Sequence, residues 1–145
     1  MSRRPTPQTS DWFLNREMPR QELPLVYACS GASDAGEISD RAARWLNQAG
    51  IAEMSCLAGI GGRVKCILAK AEQAQTILVM DGCPLLCAKR TMELAGFKDF
   101  QHLGLHQLGF RKGASPVTEE RIAAAAVAAA KLILNKPNTE TAVLI

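Results

Sequence analysis

The run Thr76-Ile77-Leu78-Val79-Met80-Asp81-Gly82-Cys83-Pro84 decides the fold class. Its first five residues are β-prone and almost continuously apolar, as in a strand buried on both faces. Asp81-Gly82 then reads as a turn. Pro84 suits a first helical position, and Gly96 marks where that helix stops. The same cycle recurs on either side. Leu25-Val26-Tyr27-Ala28 is a second buried run, and Ile38, Ala42, Trp45, Leu46 and Ala49 follow at helical spacing up to Gly50. Residues 52–57 make another strand, feeding a helix whose apolar face is Val64, Ile67, Leu68 and Ala71. A last strand is expected over residues 102–108. The final helix is expected from Ser115-Pro116, with Glu119 and Glu120 in its first turn and Asn135 and Pro137 at its end.

Strands alternating with helices at these lengths imply βαβ units with helices on both faces of a parallel sheet. The expectation is an α/β chain: a single three-layer Rossmann-like sandwich with a four-stranded, mostly parallel sheet in the order 2-1-3-4. Residues 1–22 mix Arg, Pro, Gln and Thr without periodicity and read as a mobile arm, with Trp12, Phe13 and Leu14 able to dock on the domain. Residues 23–134 form the domain and residues 135–145 a tail, in which Thr141 to Ile145 suit an edge strand or an oligomer contact.

Composition narrows the function classes. The 145 residues are 48% hydrophobic and 21% charged, the balance of one packed domain. Seventeen Lys+Arg against 14 Asp+Glu leave a net charge of +3, which argues for neither a nucleic-acid nor a membrane surface. Aromatic content of 5% weakens a base-stacking role. The apolar run from Ile122 to Ala130 is interrupted by Lys131 and falls short of the roughly 20 residues a bilayer requires. The polar N-terminus does not resemble a secretory leader, so a cytoplasmic, reducing setting is expected. There, five cysteines read as metal or thiol chemistry before disulfides.

Their positions divide them. Cys29 ends the first strand, Cys56 lies near the end of the second and Cys83 follows the third. All three belong to the carboxyl edge of the sheet, where open parallel sheets present their ligand crevice. With strands about 4.8 Å apart in the order 2-1-3-4, the first strand has the other two as neighbours. Cys87, four residues after Cys83 on an expected helical turn, projects to nearly the same side. Cys66 points away from its helix's apolar face, among Arg63, Lys70 and Gln73. Four thiols match the tetrahedral coordination of Zn²⁺ at about 2.3 Å per bond, and suit an iron–sulfur cluster equally. Four thiolates around Zn²⁺ carry a net charge of −2, which helix N-termini after Cys29 and at Pro84 can offset, with help from Arg63 and Lys65. Taken singly, each cysteine is best read as an ordinary small core residue.

Three runs, Cys29-Ser30-Gly31-Ala32-Ser33, Cys56-Leu57-Ala58-Gly59-Ile60-Gly61-Gly62 and Asp81-Gly82-Cys83-Pro84-Leu85-Leu86-Cys87, resemble the DGC-domain family. That family is described as zinc-binding proteins with four characteristic cysteines. The resemblance spans residues 23–134 and implies Cys29, Cys56, Cys83 and Cys87 as the matching positions, with Cys66 matching none. It speaks to the site more than to an activity.

Other chemistries fit less well. Gly59, Gly61 and Gly62 match neither G-x-G-x-x-G, since Val64 takes the third position, nor a Walker loop, and read as a tight turn near the thiols. A phosphate loop of the low-molecular-weight tyrosine phosphatase or arsenate reductase kind requires Arg six residues after the nucleophile, where Ala35 stands. The radical-SAM pattern requires a third cysteine where Arg90 stands. Ser30 and Ser33 have no evident base. Asp81 reads as a turn or cap, with a site role as the other possibility. His102 and His106 read as packed strand residues on one face, and Arg111-Lys112 and Lys89-Arg90 as solvated surface.

The expectation is thus a Cys₄ zinc protein with a structural, regulatory or metal-handling role, because a catalytic zinc keeps a position open for water. The alternatives are a thiol enzyme using a low-pKa cysteine at a helix N-terminus, Cys29 or Cys83, and an iron–sulfur protein.

Overall fold

In the computed structural model, which describes residues 23–29 and 31–135, β3 (Ile77–Asp81) is buried along its whole length. β1 (Leu25–Ala28) pairs with it in parallel, Leu25 opposite Ile77 and Ala28 opposite Met80. β2 (Glu53–Met54) lies beyond β1, and β4 (Gln101–Gly104) pairs with β3, setting Asp81 opposite Gly104. The sheet is four-stranded and parallel throughout, in the order β2-β1-β3-β4. Alternate residues of β1 and β3 serve opposite faces. Val26, Ala28, Leu78 and Met80 pack beneath α1 (Asp34–Gln48) and α5 (Glu119–Leu134). Leu25, Tyr27, Ile77 and Val79 pack beneath α2 (Leu57–Gly61), α3 (Lys65–Gln73) and α4 (Cys87–Leu94). Each fully buried Val, Leu or Met contributes roughly 1.5–3 kcal/mol, so the central pair of strands is the stable base on which the edge loops rest.

Several boundaries differ from the sequence reading. The second strand stops at Met54. Cys56 then caps α2, its Sγ accepting the Gly59 N–H at 3.3 Å. Gly59 is therefore helical, with the Ile67 side chain packed on it. Val64 caps α3 and is exposed rather than part of its apolar face; Ile67, Leu68 and Ala71 do pack inward. α4 starts at Cys87, not Pro84, so of the helically spaced Leu85, Ala88, Met92 and Ala95, Leu85 is exposed and only Ala88 and Met92 are fully buried. β4 ends at Gly104 and a 3-10 turn (Leu105–Leu108) follows, so His106 is not on a strand. α5 starts at Glu119, where the Thr118 side chain accepts the Arg121 N–H, and not at Ser115-Pro116. Trp45 lies at the exposed border of α1.

The arm of residues 1–22, Ser30 and the segment Thr141 to Ile145 lie outside the described residues. Among the described residues no helix is long and apolar enough to cross a membrane.

Candidate functional site

The three residues at the end of β3 perform three separate tasks. Asp81 is buried, and its carboxylate accepts the N–H groups of Ala88 at 2.7 Å and Lys89 at 3.0 Å, the open donors of the first turn of α4. His102 Nε2 stands 2.9 Å from the same carboxylate. Gly82 passes so close to the first turn of α1 that a Cβ there would lie 2.5 Å from the backbone carbon and oxygen of Ala35. Only glycine permits this approach. It also brings the Gly82 N–H to 3.3 Å from Cys29 Sγ. Cys83 then turns toward the same space.

Between Cys83 and Cys87 the chain makes a turn, with the Leu86 N–H bonded to the Cys83 carbonyl at 3.3 Å. Leu86 takes a left-handed conformation at φ 58 and ψ 42. For a residue with a Cβ this conformation costs about 1–2 kcal/mol, so the strain sits between the two thiols. Cys83 consequently lies before the helix and Cys87 is its first residue.

Cys29, Cys83 and Cys87 line one cavity of about 230 Å³ at the carboxyl edge of the sheet. Its other walls include Ser33, Gly36, Asp81 and Lys112. Ser33 caps α1 by accepting the Gly36 N–H at 3.0 Å, so the N-termini of α1 and α4 both meet this space. Their partial positive charges favour thiolate or any other anion there. Cys29 is buried, and its desolvation pushes the thiol's pKa up, against the lowering effect of the Gly82 N–H. This runs opposite to the activation expected of a nucleophile at this position.

Cys56 is exposed and lines a neighbouring groove of about 770 Å³ that also reaches Ala28, the residue before Cys29. It is not among the residues that line the cavity of Cys29, Cys83 and Cys87. Cys66 is exposed on α3, in agreement with its helical phase. Among the described residues, no three His, Cys, Asp or Glu side chains stand close enough together to hold a metal ion. The donor chemistry suits a soft cation, but as they stand the thiols do not close around one.

Two cations near the thiols have roles that no local pattern shows. Arg63 does not serve the thiols: its guanidinium donates to the carbonyls of Ile60 at 2.8 Å and Leu94 at 3.0 Å, tying the ends of α2 and α4 together. Lys112 is exposed, as the sequence reading has it, and also lines the cavity. The cause is Asp34, whose carboxylate accepts the N–H groups of Gly113 at 2.8 Å and Ser115 at 3.1 Å and holds the loop over α1. Those bonds and one from Ala35 hold the Asp34 carboxyl below the ordinary carboxylate range. The pair lies almost eighty positions apart, so no local pattern announces it.

The interlocked Asp81-Gly82-Cys83 and the flanking cysteines coincide with a recognised domain: the chain matches the DGC domain over residues 25–129. It belongs to the DGC domain family. This DGC domain is also 42% identical over 94 residues to a Pseudomonas aeruginosa protein named "Anaerobic and virulence modulator AnvM", an alignment covering 65% of this chain and 72% of that protein. No solved structure matches the chain. The family match begins with β1 and ends within α5, so it includes every element that builds the thiol cavity.

Proposed function

We propose that this DGC domain is a regulatory metal-handling protein that takes up zinc through Cys29, Cys83 and Cys87, with Cys56 as the fourth ligand. The carrying observation is the convergence of three thiols on one cavity beneath two helix N-termini and Lys112. Thiolates suit zinc, and the surrounding positive charge offsets the negative charge that a four-thiolate site would carry. The strained turn of residues 83–86 supplies the movement that brings Cys83 and Cys87 to a shared ion with Cys29. Uptake of the ion is then coupled to a change in loop shape, which is what a regulator needs. The relative's name, an anaerobic and virulence modulator, supports a regulatory role over a purely structural one.

Metal analysis of anaerobically purified protein, with single Cys→Ser variants, tests this reading. One zinc per chain is expected, with affinity falling by about tenfold or more for each of the variants at Cys29, Cys56, Cys83 and Cys87. Cys66→Ser should retain it. Loss in Cys66→Ser with retention in Cys56→Ser would overturn the ligand set. Visible charge-transfer absorption would replace zinc by an iron–sulfur cluster.

A second reading, thiol chemistry at Cys87, draws on its exposed position at the first residue of α4. It predicts a metal-free protein in which alkylation of Cys87 outpaces that of Cys56 and Cys66.

A further inference from the structure

α1 and α5 lie side by side on one face of the sheet, yet their outer surfaces differ in kind. α1 presents ion pairs, Glu37 with Arg41 and Asp40 with Arg44, as a solvated helix does. α5 buries Ile122, Ala125, Ala126, Ala129 and Ile133 inward, and its opposite side is again apolar. That second stripe, together with β4 and the 3-10 turn, forms a groove of about 1000 Å³. Val127 is 47% exposed and Leu108 43% exposed along it. β4 is the terminal strand of the sheet here, so its outer edge has no strand beside it among the described residues.

We infer that this groove is a self-association surface in which α5 of a second copy lies antiparallel to α5 of the first. The helix positions that line it are Glu120, Ala123, Ala124, Val127, Ala128 and Lys131. A two-fold axis midway between positions 125 and 126 maps this set onto itself. Glu120 meets the partner copy's Lys131, Ala123 meets Ala128, and Ala124 meets Val127. A two-fold interface requires such self-complementarity, and here it is both steric and electrostatic. Val127 fills the space left by an alanine, and alanines allow close helix approach. Each charge at the ends of the stripe meets its opposite across the axis. Among the described residues neither Glu120 nor Lys131 has an ion-pair partner within the chain.

The topology argues against extending the sheet at this edge by a further parallel crossover. The connection from β1 through α1 to β2 and that from β3 through α4 to β4 use opposite faces and opposite directions, hence the same hand. A fifth parallel strand outside β4, reached through α5, would require a crossover of the other hand.

Sedimentation of the full chain over a concentration series tests the proposal. Wild type should reach twice its 15.6 kDa mass. Val127→Glu, which sets two like charges against apolar surface near the axis, should raise the dissociation constant about 100-fold. Glu120→Lys alone should weaken association about tenfold, and adding Lys131→Glu to the same chain should restore it, because the swap re-forms both pairs across the axis. Circular dichroism and thermal unfolding confirm that each variant is folded. A wild-type chain that stays monomeric at its highest soluble concentration overturns the proposal. So does a dimer that survives Val127→Glu, or a double swap that fails to recover association.

Discussion

The two helices that open onto the thiol cavity begin in different ways. α1 is capped from within its own sequence: Ser33 accepts the N–H of Gly36, three residues on. α4 has no such local cap; the residue before it is Leu86, and the acceptor for its first turn is Asp81, on the end of β3. A local cap starts a helix wherever it stands. A cap supplied by a strand fixes the helix relative to the sheet, and with it the turn that carries Cys83 and Cys87. Cys83 and Cys87 are therefore positioned by β3 rather than by the helix that bears one of them.

This contrast is open to direct attack. Replacing Asp81 by Ala strands buried donors at the start of α4 and removes the partner of His102, so unfolding in urea should show a loss of about 2–4 kcal/mol. A loss well under 1 kcal/mol would mean that α4 is held by something other than the strand. Gly82→Ala forces a methyl into the first turn of α1 and should cost about 1–3 kcal/mol by thermal unfolding. An unchanged melting temperature would disprove the close approach of β3 to α1. Ser33→Ala should cost about 1 kcal/mol, with Asp at the same position recovering most of it. If Ser33→Ala proved as damaging as Asp81→Ala, the distinction between local and strand-borne caps would collapse.

The smallest effect is expected from Asp34, which ties the Lys112 loop to α1. Its carboxyl is depressed in the folded state by the N–H groups of Gly113, Ser115 and Ala35. The stabilisation is therefore complete above the ordinary carboxylate range and is lost as pH falls through the lower, folded value. Wild type should exceed Asp34→Asn in stability at neutral pH, and the gap should narrow in acid. A gap independent of pH would remove the carboxylate from the account.

The same contrast explains how much was legible in the sequence. Runs such as Ile77 to Met80 announced buried strands, and their alternation with helices led to a four-stranded parallel sheet in the order that the structure has. Gly50 and Gly96 mark helix ends by chemistry contained in one or two residues, and the exposed Cys66 followed from helical phase alone. One error arose where the partner lay outside the local turn. Pro84 looks like a helix start, but the donors of α4 find their acceptor in Asp81, so the helix begins three residues later. The last strand was expected over residues 102–108, yet β4 ends at Gly104, where the His106 ring folds back against the glycine.

The sequence by itself determined the layers, the sheet order and the edge at which the thiols gather, because periodicity and turn residues act over a few positions and parallel connections leave few alternatives. Only the tertiary structure decided that Cys29, Cys83 and Cys87 face one cavity while Cys56 faces the groove beside it. It alone assigned Lys112 to that cavity and left a second apolar stripe on α5. Each of these depends on contacts between segments far apart in the chain, and a local pattern carries no record of them.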